Sequence, residues 1–370
     1  MKWENYQLKN IASYWTGKVD ASVLDATNYI STDNLIPDRG GVVNSNYVPT
    51  SGNANSYSEN DVLISNIRPY FKKIWFADKQ GGCSNDVLVF RAKENVEPLF
   101  LYYQLSKDVF FDDMVAGSNG TKMPRGNKTS IMEFKLQIPP LPTQRKIASI
   151  LSAYDNLIEN NLKRIKLLEE KLFIEYTLLE EESKNQKELD FSDFVTFAKG
   201  IEPGSSNYLS EKSEGTIPFI RVGDLSKRDS DIFIEEEKSK GIICNPDDVL
   251  VSMDGTIGIV KYGIYGCYSS GIRKAVSNGV LNNAFVFCFL SSPKIQGVIY
   301  SHSKGSTIQH AGSSINHFKI KLPKEAALND FIKISTPVYE LMKNLQKQNT
   351  RLREARDILL PKLMNGQIEV

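Results

Sequence analysis

Cysteine is scarce and scattered. The four thiols of this 370-residue chain, Cys83, Cys244, Cys267 and Cys288, form no C-x-x-C pair, and the opening MKWENYQLKN is no secretory leader. They outline neither a disulfide framework nor a zinc site, and are expected to be reduced, mostly buried thiols. No stretch approaches the ~18 uninterrupted apolar residues of a membrane span, so the protein is expected to be soluble and cytoplasmic. A charge excess is lacking as well, because 45 Lys and Arg face 44 Asp and Glu. That removes the basic surplus which alone would announce a nucleic-acid partner, without excluding charge segregated onto one face.

Catalytic and cofactor signatures are equally thin. There is no G-x-G-x-x-G and no phosphate loop, since Gly17-Lys18 is followed by Val19. No G-x-S-x-G elbow marks a serine hydrolase. His302, His310 and His317 share one window but lack the close spacing and the acidic or thiol company of a metal site. The run Glu235-Glu236-Glu237-Lys238 reads as solvated charge rather than as nuclease carboxylates.

What is present is ordinary globular composition, 41% hydrophobic and 24% charged, and length for about two domains. Sliding the chain against itself gives a repeat. Leu8-x-x-Ile11 to Gly17 parallels Phe191-x-x-Phe194 to Gly200, and Ile30–Leu35 parallels Ile220–Leu225. Asp61-Val62-Leu63-Ile64-Ser65 parallels Asp248-Val249-Leu250-Val251-Ser252, Gly120-Thr121 parallels Gly305-Ser306, and Phe134–Pro139 parallels Phe318–Pro323. The offsets run from 183 to 190, a drift that loop insertions produce cheaply.

Each half has two textures. Segments 1–140 and 188–325 carry Gly, Asn and Ser among short runs such as Val62-Leu63-Ile64 and Phe285-Val286-Phe287, which read as short strands in a mixed α/β domain. Segments 141–187 and 326–370 read as long helices. From Thr143 to about Glu182 only one residue in each three or four is needed to draw a seam: Ile147, Leu151, Tyr154, Ile158, Asn161, Ile165, Leu168, Leu172. The second seam runs through Val338, Met342, Leu345, Gln348, Leu352, Ala355 and Leu359, with Gln348 at the place of Asn161. Polar residues at matching seam positions fit two helices that pack on each other and fix register, or an exposed edge of ordinary amphipathic helices. Thr336-Pro337 suits a helix start, so the second long helix is expected there, after a short one at 325–335. Forty helical residues span about 60 Å. An antiparallel pair would then set two globules at the ends of a rod, related by a pseudo-two-fold axis.

Chemistry-bearing residues gather in the loops. Arg68, Lys72 and Lys73 surround Tyr70 and Phe71, and segment 117–128 supplies Lys122, Arg125, Asn127 and Lys128. The counterpart at 303–310 supplies Lys304, Thr307, Gln309 and His310, with Arg221, Lys227, Arg228 and Lys261 completing the candidate DNA-contacting set. Lys and Arg meet phosphates, Arg, Asn and Gln carry base-reading donors and acceptors, and Gly permits close backbone approach. Each alone reads equally well as ordinary surface charge.

The run Ile138-Pro139-Pro140-Leu141-Pro142-Thr143-Gln144-Arg145-Lys146-Ile147, leading to Leu151 and Asp155-Asn156-Leu157-Ile158, resembles the domain-to-helix junction of type I restriction–modification specificity subunits. Leu359-Leu360-Pro361-Lys362-Leu363-Met364-Asn365-Gly366 resembles their usual close, and the two-copy order matches throughout. The second junction, Lys321-Leu322-Pro323-Lys324-Glu325-Ala326, lacks the second proline and the glutamine. The resemblance implies an α+β chain of two target-recognition domains (1–140 and 188–325) and two long helices pairing as an antiparallel coiled coil. It implies a non-catalytic subunit, with each domain reading half of a bipartite double-stranded DNA site and the helices setting the spacer. Two methyltransferase (modification) subunits would dock on the helices, and restriction subunits would join them. S-adenosylmethionine, ATP and magnesium would sit on those partners, with no cofactor on this chain. A coiled-coil protein scaffold and a duplicated-domain enzyme are the alternatives.

Overall fold

The computed structural model describes residues 3–118, 120, 122–227, 230–305 and 309–370, with Lys227 described in its backbone alone. The chain forms two compact units, Met1–Asn156 with Leu352–Val370, and Leu157–Arg351, so each long helix is divided between them.

The first unit is organised around the strand Val62–Ser65, buried at every position. A strand covered on both faces reads as a continuous apolar run, and its alternate side chains go to different layers. Val62 and Ile64 join a core with Leu88, Phe90, Phe100, Leu101 and Phe110, whereas Leu63 joins Ile30, Tyr57, Trp75 and Val89. Around it the strands Ala12–Tyr14, Val87–Ala92 and Ile74–Phe76 complete an antiparallel sheet. Helices Pro98–Leu105 and Asp108–Ala116 cover one face, and the other meets a second sheet of Lys18–Asp20, Asn53–Tyr57, Gly81–Cys83 and Tyr29–Ile30. Full burial of each such aliphatic or aromatic side chain is worth about 1.5–3 kcal/mol.

The second unit repeats this plan. Val249–Ser252 is central, with Val249 and Val251 in the helix-side core and Leu250 in a core with Ile220, Cys244 and Tyr268. Its neighbours are Ile272–Ser277 and Val260–Lys261, with Val195–Lys199 beyond. The second sheets share a three-strand kernel with one parallel pair, Tyr29–Ile30 on Gly81–Cys83 and Thr216–Ile220 on Gly266–Tyr268. Their edges differ, because Lys18–Asp20 and Phe233–Glu235 are added on opposite sides of that kernel. The run Phe285-Val286-Phe287 departs from expectation. It lies in a helix, Asn283–Ser291, rather than a strand, and Asn282 caps that helix by accepting a bond from the Phe285 backbone N–H. A wholly buried apolar run has no periodicity that separates helix from strand, so the cap decides.

The long helices are Leu141–Glu182 and Glu325–Met364. The second is continuous through Pro337, which corrects the expected start there and the separate helix at 325–335. Proline removes one intrahelical bond, yet the helix is held on both sides of it by burial of Leu328 and Phe331 before and Val338, Tyr339 and Met342 after. Within each unit the helical portions pair antiparallel. In the first, Ile147, Ala148 and Leu151 share a core with Leu363 and Met364, and Arg356 pairs with Asp155 at 2.7 Å. In the second, Leu172, Tyr176 and Leu179 share a core with Leu328, Phe331 and Val338. Ile158 and Ile165 are buried there as well, while Tyr154, Leu168, Leu352 and Leu359 are half-buried.

Asn161 is buried, and its Nδ2 donates to Asn349 Oδ1 at 2.9 Å. The assignment of Gln348 as its counterpart is therefore corrected, since Gln348 is exposed. The seam steps from Met342 by three to Leu345 and then by four to Asn349, keeping the alternation that a 3.5-residue repeat demands. All four cysteines are buried and free.

Candidate nucleic-acid interface

In both units the chain leaves the central strand through a turn at which other loops converge. Ser65 N–H donates to Lys73 O at 3.1 Å, and Ser252 N–H to Ile259 O at 3.0 Å, closing equivalent turns. In the first unit Arg68 N–H donates to Pro124 O at 2.8 Å, and Ile67 forms a β-bridge with Arg125. Gly126 N–H donates to Asn66 O, and a Cβ on Gly126 would stand 2.9 Å from Asn66 Oδ1, so a larger residue there would push on the Asn66 side chain. In the second unit the corresponding bridge is a two-residue ladder, Asp254–Gly255 against Gln309–His310. Lys304 and His310 exchange backbone bonds of 3.0 and 2.8 Å, and His310 Nδ1 lies 2.7 Å from Asp254 Oδ1.

A third loop joins each cluster. Ser31 N–H donates to Asn34 Oδ1 in one unit and Arg221 N–H to Asp224 Oδ2 in the other, through buried Asn34 and Asp224. This is the physical content of the Ile30–Leu35 and Ile220–Leu225 repeat. In the first unit the loop borders a cavity of about 530 Å³ lined by Tyr29, Ser31–Asn34, Val43–Tyr47 and Ser84. Its lining of hydroxyls, amides and the Asp33 carboxylate was not among the sequence candidates, because it carries no cation and no catalytic or cofactor signature.

The candidate cations divide by what they touch. Lys122 and Lys128 are exposed, and Arg125 is exposed with an ion pair to Asp86 at 3.0 Å. Asn127 caps the helix Lys128–Glu133, accepting bonds from Thr129 and Ser130 N–H. Lys72 pairs with Asp108 at 2.5 Å, as does Arg39 at 2.6 Å. Burial opposes the Asp108 charge, but the bonds from Lys72 and Arg39 prevail and hold its carboxyl below the usual range. Lys73 Nζ donates to Thr32 O, and burial lowers its pKa. Arg68 is half-buried, and its Nε has no hydrogen-bond partner among the described residues.

In the second unit Lys304, Gln309 and His310 are exposed on the converging strand, and Arg221 bonds Asp224 through Nε and Nη2 at 2.9 and 3.1 Å. Lys261 stands on the edge strand opposite Leu250, off the turn. Arg228 and Thr307 lie outside the described residues, and the Lys227 side chain is likewise outside them. Arg273, absent from the sequence candidates, sits beneath this cluster with only 11% of its side chain exposed, 4.0 Å from Asp254 and donating to Ser270 O at 2.5 Å. Burial pulls its pKa down. No local pattern distinguishes it, since it occupies an ordinary strand position.

Among the described residues no group of three or more His, Cys, Asp or Glu is placed to hold a metal ion, and no helix is long and apolar enough to cross a membrane. The arrangement is two copies of a polar, partly cationic loop cluster on rigid sheets.

Residues 1–170 and 182–352 match the family described as the type I restriction modification DNA specificity domain. The MjaIX type I restriction enzyme specificity subunit of Methanocaldococcus jannaschii is 27% identical over 312 residues, covering 75% of this chain and 71% of its own. The HindI specificity subunit of Haemophilus influenzae is 21% identical, covering 99% of each. Among solved structures, the type I restriction–modification S subunit from M. genitalium superposes with a TM-score of 0.60 at 18% identity, over 98% of this chain and 96% of that one.

Proposed function

Because the chain belongs to the type I restriction modification DNA specificity family and carries two such domains in tandem, we propose that it reads a bipartite DNA site for a type I complex. Each unit presents its loop cluster to one half-site, with Lys122, Arg125 and Lys128 in the first unit and Lys304, Gln309 and His310 in the second as leading contacts. Phosphate contacts by Lys and Arg position the protein, and amide and guanidinium groups read base edges. Two modification subunits dock on the paired helices and supply S-adenosylmethionine chemistry, flipping the target base as base-modifying enzymes must. Restriction subunits add ATP- and magnesium-dependent work. This chain itself carries no chemical step.

The observation that carries this reading is the duplication of the site as well as of the fold. Both units bring the turn after the central strand onto a distant polar loop, Ile67 to Arg125 and Asp254 to His310. A protein scaffold would use the helices without needing this second convergence. Near-neutral charge implies that the partners supply much of the phosphate affinity, because counterion release scales with the number of phosphates neutralised. Methylome sequencing of cells expressing the chain with its modification subunits should return one bipartite motif. Modification without sequence preference, or of a single undivided motif, contradicts the proposal.

A further inference from the structure

The turn that follows the central strand is built twice in this chain, from different residues. In the second unit it is closed by two glycines at positive φ, Gly255 (75°) and Gly258 (81°), and of the two residues between them Thr256 is exposed and Ile257 is 2% exposed. In the first unit, whose turn is one residue longer, the corresponding left-handed positions fall to Arg68 and Lys72, both at φ 50°. Between them Tyr70 and Phe71 stand 47% and 38% exposed. Glycine meets this backbone without strain and a β-carbon does not. The second unit thus shows that the turn does not require the costlier residues.

Further strain is gathered at the same place. Asp38 and Arg39 are also left-handed, at 54° and 61°, so four of the seven non-glycine residues with positive φ among the described residues meet here. Asp38 N–H donates to Phe71 O at 2.9 Å and Arg39 N–H to Lys72 O at 3.0 Å. Asp108 ties Arg39 to Lys72 below them. The Tyr70 and Phe71 rings lie 4.7 Å apart at 57°, with Lys73 Nζ 5.9 Å from the Phe71 centroid. An exposed aromatic pair is thereby fixed in one position, which is costly for a surface that touches only water.

We propose that Tyr70, backed by Phe71, is a base-stacking contact to DNA in the first half-site. The occupant is identified by the surroundings. Arg68, Lys72 and Lys73 border the rings, Arg68 Nε is buried without a partner among the described residues, and the turn is bonded through Arg68 N–H and Ile67 to the loop carrying Lys122, Arg125 and Lys128. A π-face flanked by cations suits a nucleobase on its phosphate backbone, and in a duplex that face becomes available where the target base is flipped out of the stack or a step is unstacked. The inference rests on the DNA-reading proposal and adds to it a contact that reads no hydrogen-bond edge. It also makes the two units unlike, since Ile257 offers no such face.

The test uses the full chain reconstituted with its modification subunits and a duplex carrying the motif that the complex methylates. Tyr70→Ala should weaken binding about tenfold, in line with the loss of one stacked base, with unchanged melting temperature. Tyr70→Trp should retain affinity and Tyr70→Leu should not, because stacking needs a π-system rather than apolar area. Arg68→Gly with Lys72→Gly should leave the fold at least as stable and still lower affinity. Equal binding by the Ala or Leu variant overturns the inference, as does a Tyr70→Ala variant that binds DNA normally but fails to assemble with the modification subunits. A wild-type complex that neither binds nor methylates any sequence would defeat the underlying proposal instead.

Discussion

The buried amide pair between the long helices gives a measurable coupling. Asn161 Nδ2 donates to Asn349 Oδ1 at 2.9 Å, and Asn349 Nδ2 reaches Ile158 O at 3.4 Å, both side chains being almost fully buried. Asn161→Leu leaves the Asn349 carbonyl in an apolar seam with no donor, and Asn349→Leu strands Asn161. An unsatisfied buried polar group costs about 1–3 kcal/mol. For a cooperative unit of this size, ~2 kcal/mol corresponds to roughly 4–8 °C in melting temperature. Replacing both leaves no stranded group and adds apolar contact between Ile158 and Ile165, so the double variant should match or exceed the parent. The assay is a double-mutant cycle by urea unfolding and thermal melting, followed by helical ellipticity. If the double variant loses the sum of the single losses, the two amides do not act on each other and the register assigned to the helices is wrong.

Replacing Lys122, Arg125 and Lys128 together by Ala should abolish methylation by the reconstituted complex while size-exclusion chromatography shows intact assembly; full activity would remove this loop from the site. Inserting seven residues into both long helices, at matching places on either side of the Asn161–Asn349 pair, should lengthen the preferred spacer by about 3 base pairs, from 1.5 Å per residue against 3.4 Å per pair. An unaltered spacer by methylome sequencing would end the ruler idea. Burial pushes the thiols of Cys83 and Cys244 up to about 12 and that of Cys267 to about 11, so an aromatic disulfide reagent at pH 8 should label all four cysteines only after denaturation. Because these folded-state values are raised, the stability they contribute is complete below the unfolded thiol value near 8.5 and falls as pH rises toward 11–12. Asp108 runs the other way, its lowered carboxyl contributing stability above about pH 3.9 that is lost on further acidification. Asp108→Asn should flatten that acid limb, measured by melting temperature against pH.

The sequence by itself determined the duplication, the strands Val62–Ser65 and Val249–Ser252, the helical segments and the polar break at Asn161. Each of these is a local or periodic property, readable because burial imposes a repeat of 2, 3.5 or 3.6 residues, or a continuous apolar run, on the chain that meets it. The Ile138–Ile147 junction was legible as a motif, yet its reason is tertiary: buried Gln144 accepts from Glu97 N–H and donates to Asn95 and Pro139 carbonyls, fastening the helix to its domain. Structure alone decided that Phe285-Val286-Phe287 is helical, that Glu325–Met364 continues through Pro337, and that Asn349 rather than Gln348 faces Asn161. It also separated exposed Lys122 and Lys128 from Lys72, engaged by Asp108, and found Arg273 beneath the second loop cluster. Those outcomes depend on groups dozens of residues apart competing for the same space and the same hydrogen bonds, and no window along the chain contains both competitors.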